Sequence, residues 1–356
     1  MSAIAGLAPA RARHRAQVTR WGFIWALWCS VLWGAWYLPG AAIWYERPFA
    51  AIGAHETQRL LLGAGLIAAF NALATVTFLG LWTGVFGKTG EVIRTLRQTR
   101  RIGKWFFLAG LAGGPLAHWG TFLAIAYVGP VFAAIAALMY PIFGALLARL
   151  WYQEKITARV AVGIFLLIAG GVSIYAPGLV VELGGASGGA WPGYLGGVLA
   201  ALGWGIEGAI AGRALDVTDS DAGVTLRFLA EAVYWFAVIL PAAALMLDWP
   251  VLSMLREAYD PWTIAWVVLL GLTYAFCYAA WYKSFPLIGV GRGCAFSTLY
   301  AAFAVIYLSV FTLEPPAANF LLGLLLAIIG AFVMFTERSQ VMEVVRSVEG
   351  LADPRT

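Results

Sequence analysis

Apolar runs of about twenty residues, separated by short polar turns, recur ten times along this chain and leave it few ways to fold. They fall near 21–44, 59–86, 104–126, 129–151, 157–176, 192–212, 227–247, 262–284, 293–312 and 319–336. A helix of that length, rising about 1.5 Å per residue, spans a bilayer core of about 30 Å. The chain is 62% hydrophobic and 12% charged, whereas a soluble domain folds with about half its residues apolar. Its surface must therefore also meet an apolar solvent. The expected class is all-α integral membrane, with ten transmembrane helices.

The distribution of basic residues sets an expected orientation. Arg11, Arg13, Arg15 and Arg20 precede the first run, which is too long for a signal peptide and lacks a small-residue cleavage site. With the N-terminus inside, the connections on that side hold twenty Lys and Arg; the other side holds Arg47, Arg59 and Arg256. Both termini are expected in the cytoplasm, with the protein in the cytoplasmic (inner) membrane. The net charge of +5 then reports topology, and no nucleic-acid partner is expected.

A second constraint is internal similarity at an ungapped offset of 160 residues. Gly129 meets Gly289, Tyr140 meets Tyr300, Phe143 meets Phe303, Glu154 meets Glu314, Gly163 meets Gly323 and Gly170 meets Gly330. The expected organisation is a cytoplasmic tail (1–20), a five-helix repeat (21–176), an external Gly/Pro/Ser-rich linker (177–191), a second five-helix repeat (192–336) and a cytoplasmic tail (337–356). Because five is odd, the second repeat enters the membrane inverted, as in many secondary transporters.

The run PIFGALLARLWYQEKITARVAVGIFLLIAGG and its partner LEPPAANFLLGLLLAIIGAF resemble the EamA domain of the drug/metabolite transporter superfamily. The resemblance is good over 125–175 and fainter over 285–335; Ala301 stands where a proline is expected beside Tyr300. It implies a ten-helix carrier of small metabolites, often outward, with helices one, three, four, six, eight and nine lining the path.

Chemistry in such a chain must come from polar groups at membrane depth, which are costly and face an interior or cavity. Glu207, among Gly203, Gly205 and Gly208, is a candidate for a substrate cation or a coupled proton; the alternative is a structural carboxyl. His118 follows the Gly113–Gly114–Pro115 break and is the second proton-coupling candidate, against a satisfied core histidine. By residue counting the two differ by about 10 Å in depth, so no direct pair is expected; they act at different levels of one path, or on different tasks. Glu231, four residues after Arg227, reads as a local ion pair near a cytoplasmic helix end.

Aromatic residues complete the candidate site. Trp33, Trp36 and Tyr37 share a helical face, and Trp204–Gly205 echoes Trp33–Gly34. Tyr274, Tyr278 and Tyr282 form an i, i+4 stripe, with Tyr278 at the repeat position of His118; Tyr140 and Tyr300 are also repeat partners. The proposed binding set is Trp33, Trp36, Tyr37, His118, Tyr140, Trp204, Glu207, Tyr278, Tyr282 and Tyr300. An aromatic cavity with one carboxylate favours an amine, a quaternary ammonium or an amino acid.

The remaining polar signals read as structural. Glu154 and Glu314 brace their turns, Asp216, Asp219 and Asp221 form an acidic connection without calcium-loop spacing, and Lys283 and Arg292 bracket the turn between helices eight and nine. The three cysteines have no metal-ligand spacing. No cofactor or metal is expected, and no nucleotide loop or nucleophile elbow points to an enzyme. Alternatives to a carrier are a membrane-embedded enzyme acting on a lipid or amphiphile and a non-transporting receptor. The expected partners are a small-molecule substrate and the lipid bilayer; a homodimer is compatible, though no helix carries a decisive dimer motif.

Overall fold

The computed structural model describes residues 2–53, 56–152, 157–184, 189–215, 217–288 and 290–335. Glu154, Asp216 and the tail 337–356 lie outside the described residues. Among the described residues there are no strands, and nine helices are long and apolar enough to cross a membrane. They are α1 (Ala16–Tyr45), α2 (Thr57–Val85), α3 (Arg101–Tyr127), α4 (Pro130–Leu147), α5 (Ala158–Val181), α6 (Trp191–Gly212), α7 (Ser220–Met246), α8 (Pro261–Ile288) and α9 (Arg292–Thr312). A further apolar helix, α10 (Ala318–Phe335), follows. The protein is a multi-pass membrane protein.

Several boundaries differ from those read in the sequence. The first helix starts at Ser2, within the expected tail. Helix α7 starts at Ser220, seven residues before the expected 227, because Asp219 caps it by accepting from the backbone N–H of Asp221 and Ala222. Helix α5 continues through Pro177 to Leu183, into the expected linker. A proline at that position frees the carbonyl four residues back, and Asn319 Nδ2 meets that Ser173 carbonyl at 3.4 Å while Ser173 Oγ donates to the Asn319 carbonyl at 2.9 Å.

Packing between the halves is reciprocal. Helix α1 packs on α8 and α9, while α6 packs on α3 and α4; α2 packs on α8, while α7 packs on α3. Close approach is made by matching glycines: Gly34 lies against Tyr300 and Phe303, and Gly205 against Tyr140 and Phe143. Tyr140 donates to the Cys294 carbonyl at 2.8 Å, and Tyr300 to the Ala134 carbonyl at 2.9 Å; these two contacts exchange under the 160-residue offset. Helices α5 and α10 run antiparallel, Gly170 facing Gly323 and Gly163 facing Gly330.

Helix irregularities follow the same offset. A 3-10 turn, Ala137–Met139, interrupts α4 just before Tyr140 and Pro141. Helix α9 breaks at Thr298 and Leu299, just before Tyr300, although Ala301 replaces the proline. There Ser297 and Thr298 hydroxyls donate to the Cys294 and Ala295 carbonyls, doing locally what a proline would do by exclusion. The α3–α4 connection turns at Gly129, whose φ of +120° excludes a side chain at low strain.

Candidate functional site: a buried ionic chain in an aromatic shell

At the centre, four ionisable side chains with no exposure form one connected chain. Arg227 on α7 donates from Nε to Glu207 Oε1 at 2.6 Å and from Nη2 to Glu207 Oε2 at 3.1 Å. Its Nη1 donates to Glu231, one turn further along α7. Glu231 Oε1 lies 2.6 Å from His118 Nδ1 on α3, and His118 Nε2 lies 2.7 Å from the Tyr274 hydroxyl on α8. Tyr278 and Tyr282 donate to Glu207 at 3.0 and 3.2 Å. The guanidinium also lies over the Phe228 and Tyr278 rings, 4.0 and 4.9 Å from their centroids. An isolated charge here would cost several kcal/mol, so each ion depends on the geometry of the others.

Local sequence explains how α3 admits this chain. The segment Ala112–His118 is a π-helical turn containing Pro115, a widening that accommodates the proline ring. Gly113 and Gly114 line it: a Cβ on Gly113 would collide with Glu207 and Arg227, and one on Gly114 with Glu231. The tyrosine stripe of α8 supplies three hydroxyls at one-turn intervals.

Around the ions lies a shell of rings. Trp33 stacks on Tyr300 at 4.4 Å and meets Trp204 edge-on at 5.0 Å and Trp281 at 5.6 Å. Trp36 stacks on Tyr274 at 4.6 Å and donates to Asn71 at 3.0 Å. His118 lies 6.1 Å from Trp204, and Tyr37 stacks on Tyr300 at 6.0 Å. Tyr278 touches Trp33, Trp281, Phe228 and Tyr274.

The structure thus brings together Trp33, Trp36, Tyr37, His118, Trp204, Glu207, Tyr278, Tyr282 and Tyr300. Tyr140 is turned aside, its hydroxyl held by Cys294 and Ser297 at the start of α9. Two readings are corrected. Glu207 is not a lone carboxylate, since Glu231 shares its cation. The Arg227–Glu231 pair does form, but fully buried and two turns inside α7, so Arg227 is not one of the basic residues of a connection. A third reading agrees with the structure: His118 and Glu207 make no direct pair, and Glu231 and Arg227 link them in one chain of contacts. The link was not read in the sequence because α7 was started too late, which left Arg227 and Glu231 at the membrane edge. The Arg-x-x-x-Glu spacing was visible; the apolar neighbours Leu226, Phe228 and Leu229 were the signal that it lies inside.

At the end of the bundle where α7 begins, a second ionic cluster joins three elements. Lys88, beyond α2, meets Asp219 at 2.7 Å and Asp221 at 2.6 Å; Lys283 of α8 meets Asp221 at 2.7 Å, and Trp82 donates to it at 3.1 Å. The acidic connection is therefore braced by lysines, and Arg292 stands exposed apart from it. Burial pushes the Asp219 carboxyl up, but the Lys88 hydrogen bond and the cap N–H groups outweigh it and hold it below the usual range. A depressed carboxylate stabilises above its unfolded pKa and loses that contribution as pH falls through the folded value. Asp219→Asn, which keeps the cap, is expected to cost about 1 kcal/mol or less near neutral pH. Thermal unfolding curves should show that difference from wild type vanish in acid.

Residues 191–336 match the EamA-like transporter family. The match covers the second half of the chain, and that family belongs to the drug/metabolite transporter superfamily. The match falls on the half where the sequence resemblance was fainter. A protein of known crystal structure aligns with this chain at a TM-score of 0.54 and 19% identity, covering 89% of this chain and 96% of that one; at that identity the likeness is one of fold. No curated protein matches the sequence.

Proposed function

We propose that this protein is a secondary transporter, moving small metabolites outward across the cytoplasmic membrane by alternating access coupled to protons. The observation that carries the reading is the Glu207–Arg227–Glu231–His118–Tyr274 chain, fully buried between α3 of the first half and α6, α7 and α8 of the second. We read the reciprocal packing as an inverted duplication, whose halves rock about the centre where Trp33 meets Trp204. The Lys88–Asp221–Lys283 cluster then closes the cytoplasmic end, with both termini on that side.

His118 suits a proton carrier. Nδ1–H donates to Glu231, while Nε2 faces a hydroxyl that can donate to it or accept from it. In proteoliposomes, His118→Ala is expected to lower accumulation driven by an imposed pH gradient at least tenfold while retaining exchange of labelled for unlabelled substrate. Unchanged accumulation in the variant would remove the coupling role; wild-type protein without any exchange would remove the transport reading.

A further inference from the structure

The hydrogen-bonding capacity of the centre is lopsided. Glu207 already accepts four bonds, from Arg227 Nε and Nη2 and from Tyr278 and Tyr282. A carboxylate has about four lone-pair sites, so Glu207 has no capacity left for an incoming ammonium. Donors, by contrast, are in surplus. Arg227 spends three of its N–H groups on Glu207 and Glu231, out of the five a guanidinium carries. The indole N–H groups of Trp33, Trp204 and Trp281 are buried and unpartnered among the described residues. Trp44 and Trp235 are unpartnered too, but only the first three cluster, both partners of Trp33 lying within 5.6 Å of it. Trp33 and Trp281 also touch Tyr278, over which Arg227 lies.

Buried donors without acceptors are costly, by about 1–3 kcal/mol each. Three on rings in mutual contact through Trp33 are best explained by a ligand that supplies the acceptors. We propose that the centre recognises an organic carboxylate, its oxygens taken by Arg227 and the tryptophan N–H groups, and its apolar body held among the rings. This rests on the reading of the centre as the substrate site. Among the classes suggested by the sequence, it selects amino acids over simple amines. A ligand without an ammonium would enter with a proton, for which the groups facing the chain are Glu207 on α6, Glu231 on α7 and His118 on α3, with Tyr274, Tyr278 and Tyr282 of α8 as their partners.

The test is binding to the purified full chain in detergent, read by thermal stabilisation. The probes are 3-phenylpropanoate, phenylalanine, 3-phenylpropylamine and 3-phenylpropanamide. Both carboxylates are expected to bind at least about tenfold more tightly than the amine, the scale of one charge-assisted hydrogen bond. Trp281→Phe should reduce that preference several-fold, because it removes a donor that has no partner in the free protein. Ultraviolet resonance Raman spectra of the wild type should show the indole N–H band shifting to its hydrogen-bonded position when 3-phenylpropanoate is added, a readout independent of any variant. Tighter binding of the amine, binding of none of the four, or an unmoved indole band would overturn the proposal. Amine exchange in liposomes without carboxylate binding would sink this inference and leave transport standing; carboxylate binding without exchange would do the reverse.

Discussion

Arg227→Ala is expected to destabilise the protein by about 3–5 kcal/mol, the range found when one partner of a buried ion pair is removed. The guanidinium is the only strong cation touching Glu207 and Glu231 among the described residues, so its loss leaves two buried carboxylates without that charge, Glu207 held only by the Tyr278 and Tyr282 hydroxyls and Glu231 only by His118. Unfolding in mixed detergent, followed by circular dichroism, would measure the loss. Arg227→Met combined with Glu207→Gln and Glu231→Gln should recover most of the stability, since removing a whole buried ionic set is often neutral. The triple variant is expected to show no substrate exchange. An Arg227→Ala protein as stable as wild type would mean that the ions are not coupled as the geometry implies.

Gly113→Ala should have the second-largest effect, through one methyl group. The added Cβ collides with the Glu207 carboxyl and the Arg227 guanidinium, neither of which can move without leaving its partner unpaired. Overpacking of this kind costs about 1–3 kcal/mol, and exchange is expected to be lost with it. Gly80→Ala on α2 is the matched control. Open space surrounds that glycine, so the substitution should be neutral or stabilising by about 0.4–1 kcal/mol. If both variants behaved alike, glycine at 113 would serve the backbone and not the ionic chain.

Much of the architecture was legible before any coordinates. Among the described residues, hydropathy located the nine helices long enough to span and the shorter apolar α10, because in lipid a polypeptide must satisfy its backbone internally and the helix does so within one segment. Where it erred was at boundaries set by side chains: the Asp219 cap that lengthens α7, and the Asn319 amide that lets α5 pass Pro177. The break before Tyr300 was hidden for the same reason, since serine and threonine hydroxyls replaced the expected proline.

The candidate site was legible as a set of residue types and not as a network. Glu207 and His118 stood out because ionisable groups are rare inside spans, and the tyrosine stripe stood out by its one-turn spacing. Their connection did not, because it runs through Arg227, which the charge count had placed at the membrane edge.

The lengths and spacing of the apolar runs by themselves determined that this chain is helical and membrane-embedded, because those properties depend only on the local match between apolar length and bilayer thickness. Tertiary structure alone decided which polar groups meet. Arg227 and Glu231 are 20 or more residues from Glu207 and over 100 from His118 in sequence, and the energy of a buried charge depends on partners within a few ångströms, whichever helix carries them.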